Sequence, residues 1–180
     1  DDGAWCGHRA GRMSRLLPVV AALATATFLL MGWFSWTVLV PAAGGQLPLD
    51  ARLAGYDGAA VLDYLRALDD GGRGVYLLEM RWLDAAFMAS FALSLGLGLQ
   101  ILARGRGRLL RALLVLPPLA YFCADWAENA VVRELLLRGA EGFLPELAAW
   151  ASRFTQAKVG LVPICVLGLG ALWRRRPCEA

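Results

Sequence analysis

The stretch that decides the fold is Leu16–Val40, LLPVVAALATATFLLMGWFSWTVLV, 25 residues without a single charge. A helix rises 1.5 Å per residue, so about 20 apolar residues cross a hydrocarbon core of about 30 Å. The run exceeds the apolar region of a cleaved signal peptide, and no small-residue cleavage site follows before Pro41. It reads as a first transmembrane span.

Composition agrees. The chain has 180 residues, 58% hydrophobic and 18% charged. One soluble core of that length cannot hide so many apolar side chains, because a folded surface still needs polar cover. The net charge is only +3, and the basic residues fall in short clusters, which argues against a nucleic-acid surface. Cys6, Cys123, Cys165 and Cys178 have neither C-x-x-C nor metal-ligand spacing.

Working outward, Ala85–Leu102 is a second uncharged run. Ala112–Ala124 and Val159–Trp173 are shorter. They reach spanning length only if Asp125 and Glu128, and Arg153, Gln156 and Lys158, lie at membrane depth. Loop charges arbitrate. Arg9, Arg12 and Arg15 precede the first span. Arg104, Arg106, Arg108 and Arg111 link the second and third without an acid, and Arg174–Arg176 follow the fourth. The other two loops mix signs. The positive-inside rule gives spans at about 16–40, 78–102, 109–132 and 149–173, both termini cytoplasmic. Trp33, Trp36, Trp82, Trp126 and Trp150 then mark the outer interface and Trp173 the inner one.

The expected architecture is an all-α transmembrane four-helix bundle over 13–176, with tails at 1–12 and 177–180. A short amphipathic helix is expected in the first outer loop. Asp57 caps it, Val61, Leu62, Leu65 and Leu68 form its apolar stripe, and Gly71-Gly72 end it. Ala86, Ser90, Ser94 and Gly98 recur every fourth residue, a small-residue stripe that suits close packing or a homo-oligomer contact. Pro117-Pro118 and Pro163 predict kinks.

The chemistry-bearing residues converge. Asp125, Glu128 and Asn129 stand at i, i+3 and i+4 on one helical face, with Tyr121 one turn inward. On this topology Asp125 lies roughly 10 Å, and Lys158 on the antiparallel fourth span roughly 13 Å, below the outer boundary. Asp84 and Gln156 enter from the same side. Charges at that depth cost about 2.5–3.5 kcal/mol each on insertion scales, so they should turn inward and pair. Lys158 is the expected partner of Asp125, and Arg153 of Glu128. The candidate ligand-binding set is Asp84, Tyr121, Asp125, Glu128, Asn129, Gln156 and Lys158.

Three functions fit. The leading one is binding of a small ligand, lipid or partner protein in a polar pocket open toward the outer leaflet. A membrane-embedded acid–base isomerase or cyclase, with Asp84 or Asp125 as proton donor and Glu128 as partner, is the second. A proton-coupled carrier acting as an oligomer is the third. A buried ion-pair network that only keeps helices in register is the plain alternative. Whether the chain is an enzyme is left open. No H-E-x-x-H, G-x-S-x-G, Walker A or dinucleotide fingerprint is present, and no metal or cofactor is expected. Membrane lipid is the expected partner, with no nucleic acid.

Gly55-Tyr56, Gly72-Arg73-Gly74-Val75-Tyr76, Asp84, Asp125-x-x-Glu128-Asn129 and Phe154-Thr155-x-x-Lys158, taken in order, resemble small, uncharacterised four-span bacterial membrane proteins. That likeness covers most of the chain from Met13 and brings no activity with it. The long first outer loop and intramembrane acids are similar in topology to the sterol-isomerase and sigma-2-receptor superfamily. No motif string matches, so no residue role carries over.

Overall fold

A computed structural model describes residues 2–174, with side chains from Met13 onward. The expected tail at 177–180 lies outside the described residues, as do Arg175 and Arg176. Seven helices carry the fold among the described residues: α1 (Asp2–Phe34), α2 (Gly58–Ala67), α3 (Asp70–Val75), α4 (Arg81–Leu102), α5 (Arg108–Leu113), α6 (Leu116–Arg138) and α7 (Pro145–Arg174). No strand occurs among them. Four helical segments are long and apolar enough to cross a membrane: Met13–Ala42, Asp70–Leu102, Arg108–Arg138 and Pro145–Arg174. The protein is an all-α four-helix bundle compatible with a multi-pass membrane protein. Side chains such as Trp82, Leu109 and Leu167 are exposed on its flanks, the inverse of a soluble helix face.

The second, third and fourth segments are longer than the apolar runs alone, because at one end the helices project and carry a folded cap. That cap is the connection 43–69, which packs into the main apolar core of the molecule. Leu49, Val61 and Tyr64 from the connection are fully buried with Leu135 of α6 and Ala148 and Ala151 of α7. The amphipathic helix is α2. Its Asp57 cap holds as expected, the carboxylate accepting the Ala60 N–H at 2.8 Å. It lids the bundle, burying Val61, Tyr64 and Leu65.

Gly71-Gly72 do not end α2. The helix stops at Ala67, and Asp69 caps a new helix by accepting the Gly72 N–H at 2.7 Å. Gly72 lies inside that helix because a Cβ there would collide with the Cβ of Ala42 on the first span. Glycine is what lets these two backbones touch.

Two single-turn widenings interrupt the helices near the capped end. Ser35–Leu39 follows α1 and Tyr76–Met80 joins α3 to α4, both in π geometry. Each turns large side chains, Leu39, Tyr76 and Met80, into the cap core. Before Pro117-Pro118 the third segment breaks, α5 giving way to α6 across a turn at Leu114–Val115. Two consecutive residues without an N–H cannot close the preceding turn. The fourth segment stays helical through Pro163.

The small-residue stripe of α4 is used within the chain at two positions. Ser90 is buried, and a Cβ on Gly98 would lie 3.1 Å from Leu169 of α7. At the opposite end Gln100 ties the hairpin, its amide donating to the Arg111 carbonyl at 2.6 Å.

Candidate functional site

Helix α6 presents Tyr121, Asp125 and Glu128 inward, all three at 4% exposure or less. Opposite them, α7 presents Thr155 and Lys158, one turn apart on one face. The Lys158 ammonium lies 2.8 Å from Asp125 Oδ1 and donates a hydrogen bond to it. The same Nζ lies 2.5 Å from Glu128 Oε2, a short ion pair. Thr155 donates to the other Glu128 oxygen at 2.6 Å, and Tyr121 donates to Asp125 Oδ2 at 2.9 Å. The result is a continuous chain, Tyr121–Asp125–Lys158–Glu128–Thr155, joining two helices. Asp84 of α4 stands beside it, its carboxylate accepting from the side-chain amide of Asn129. The Asn129 carbonyl accepts from Arg81 at 3.4 Å.

Most of the expected set is therefore brought together: Asp84, Tyr121, Asp125, Glu128, Asn129 and Lys158. Two expectations are corrected. Arg153 does not pair with Glu128; it is exposed, and its guanidinium lies 5.2 Å from the centre of the Trp150 ring. Lys158 serves both acids instead. Gln156 does not join the acids. It is exposed and donates to the Ala54 carbonyl at 3.2 Å. A helix turns about 100° per residue, so Gln156 lies roughly 200° and Arg153 roughly 140° away from Lys158 around α7.

Three residues outside the expected set belong here. Thr155 holds Glu128. Ser152 of α7 accepts the Tyr56 N–H at 3.0 Å. With the Gln156–Ala54 bond it fastens the segment Ala54–Tyr56 across α7 as a strap. Gly55 makes that approach possible. Its φ is +86°, and a Cβ there would lie 2.6 Å from Gln156 Nε2 and 2.8 Å from Ser152 Oγ. The third is Tyr56, whose buried hydroxyl meets Thr155 and faces Glu128. Burial, and then the negative charge of Glu128, push its phenol well above its ordinary value, so it stays a neutral donor. The signals for Thr155 and Tyr56 lay in the sequence as Phe154-Thr155-x-x-Lys158 and Gly55-Tyr56; Ser152 had none.

Nearby, Tyr76 donates to Asp50 Oδ1 at 2.7 Å, closing the cap over α4. Two concavities lie elsewhere. One, of about 420 Å³, is at the capped end between α2, α3 and the end of α6. The other, about 490 Å³, is an apolar groove between α4 and α6 lined by residues such as Leu93 and Phe122. The polar residues a carrier needs toward the other end are spoken for. Thr25, Thr27 and Ser94 donate to their own helix carbonyls, and Gln100 to Arg111. No protein-family model, curated protein or solved structure matches the chain.

Proposed function

We propose that the chain is a multi-pass protein of the cell's inner or plasma membrane, both termini cytoplasmic, that binds a small ligand at the acid cluster beneath the Ala54–Tyr56 strap. The ligand class is a small ammonium or another compact hydrogen-bond donor. Three carboxyl groups, Asp84, Asp125 and Glu128, face one ammonium group, so the site offers more acceptors than Lys158 fills. The observation that carries this reading is that imbalance: all three carboxyl groups are buried, and Lys158 is the one cation that forms ion pairs with them among the described residues. The Tyr56 hydroxyl, beside Thr155 and Glu128, adds a neutral polar group at the roof. Buried charge is costly unless it is paired, so a surplus of buried acids favours a ligand that is cationic or donates hydrogen bonds. The arginine clusters around the first span, in the 103–111 link and after the fourth span support the orientation, which puts the strap on the outer side.

Thermal unfolding in neutral detergent tests it, with n-butylammonium and n-butanol as matched probes. Butylammonium should raise the midpoint saturably, by roughly 5–11 °C at a hundredfold excess over its Kd. Butanol should not, and Asp84→Asn or Tyr56→Phe should lose the shift. Equal responses to both probes, or an unchanged shift in both variants, would refute the reading.

The chain from Tyr121 to Thr155 supports a second reading, an acid–base isomerase or cyclase with Asp125 as donor and Glu128 as its partner. Neither concavity above is lined by a residue of the acid cluster, and the isomerase reading needs in addition an apolar substrate cavity beside Asp125.

A further inference from the structure

The motif Gly72-Arg73-Gly74-Val75-Tyr76 has two parts explained by packing: Gly72 against Ala42 and Tyr76 on Asp50. Arg73 is left over. It is half-buried, in the concavity of about 420 Å³ at the capped end, with Arg66 of α2 and Arg138 of α6 on the same wall. Its Nε is buried without a hydrogen-bond partner, and no carboxylate forms an ion pair with it among the described residues. The guanidinium is pressed against Gly139, where a Cβ would lie 3.1 Å from its Nη1. Gly139 has φ +65° and closes α6, so the turn that ends the helix also makes room for the fork.

The two neighbouring arginines are held only loosely. Arg138 pairs with Glu134 at 2.7 Å and Arg66 with Asp63 at 3.8 Å, both across exposed helical turns, where ion pairs are weak. Glu141 is the one acid on the wall. Three guanidinium groups and a single carboxylate line the concavity with Leu65 and Leu68, and that charge balance and set of donors suit an oxyanion.

We propose that this concavity is a binding site for a phosphate-type oxyanion, anchored by Arg73. The anion comes either from a lipid headgroup at the membrane interface or from a free solute, and the same guanidinium chemistry serves both.

The test uses the full chain in nanodiscs. One arm titrates inorganic phosphate into discs of phosphatidylcholine. The other compares discs containing phosphatidylglycerol with discs of phosphatidylcholine alone, reading bound phosphatidylglycerol by native mass spectrometry. Arg73→Gln should weaken binding at least tenfold, while Arg153→Gln, on the far side of α7, leaves it unchanged. Glu141→Gln, which removes the opposing carboxylate at an exposed position, should tighten it about threefold. Phosphate binding in the first arm assigns a free solute, and selective retention of phosphatidylglycerol assigns a lipid. Binding in neither arm overturns the site, and so does binding that is indifferent to both Arg73→Gln and Glu141→Gln.

Discussion

Replacing Lys158 by Met keeps most of the length of the side chain and removes its charge. The two carboxylates it serves, Asp125 and Glu128, are each 1% exposed, and neither has another cation within ion-pair distance among the described residues. The variant therefore leaves two buried acids facing each other across an apolar side chain. Removing one member of a buried ion pair costs about 3–5 kcal/mol, mostly through the uncompensated partner. For a chain of this size each kcal/mol lowers the melting midpoint by about 2–4 °C. The expected loss is roughly 6–20 °C, read as thermal unfolding in neutral detergent. The truncation Lys158→Ala should lose at least as much. Restoring neutrality supplies the internal control: adding Asp125→Asn and Glu128→Gln to Lys158→Met should recover at least half of the loss. A midpoint for Lys158→Met within about 2 °C of wild type would refute the buried network as a source of stability.

Three further outcomes follow from particular contacts. Gly72→Ala forces the start of the second span away from Ala42 and should cost about 1–3 kcal/mol, measurable as a lower thermal midpoint. Gly55→Ala places a methyl group against Gln156 and Ser152 on backbone of positive φ; hydrogen exchange should accelerate at 54–56 while the amides of α4 stay protected. Burial raises the phenols of Tyr56 and Tyr64 above their ordinary values. The folded chain therefore holds protons that the unfolded chain releases near pH 10. Stability should be indifferent to these groups below about pH 10 and fall above it, and Tyr56→Phe should make that alkaline decline of the thermal midpoint shallower.

The bundle was legible because it rests on long-range regularities: four apolar runs, arginines on alternate links, tryptophans at recurring depth. The acid face of α6 was legible for the same reason, since i and i+3 fix a shared direction. What failed was pairing across α7. Depth along the axis suggested Arg153 for Glu128, but the angle around the axis decides contacts. Arg153 points elsewhere, while Thr155, three residues before Lys158, shares its face and could have been found by that spacing. Gln156 had the right depth and the wrong angle. The strap was harder to see. Gly55 and Tyr56 acquire meaning only against Ser152, 96 residues away from Tyr56, and no local pattern announces such a partner. The π turns at Ser35–Leu39 and Tyr76–Met80 carry no marker residue either; they follow from fitting Leu39, Tyr76 and Met80 into one core.

The cap core has a consequence for how the protein is made. Its apolar side chains come from the connection after the first span, yet their partners, Val132, Leu135, Leu136, Ala148 and Ala151, belong to the last third of the chain. During synthesis the early connection can meet Leu39, Tyr76 and Met80 first, but Leu49, Val61 and Tyr64 stay only partly covered until the final helical hairpin is in place. A ribosome stalled before residue 132 would leave that surface partly open to proteases, so completion of the chain and full protection of its first large loop are a single event.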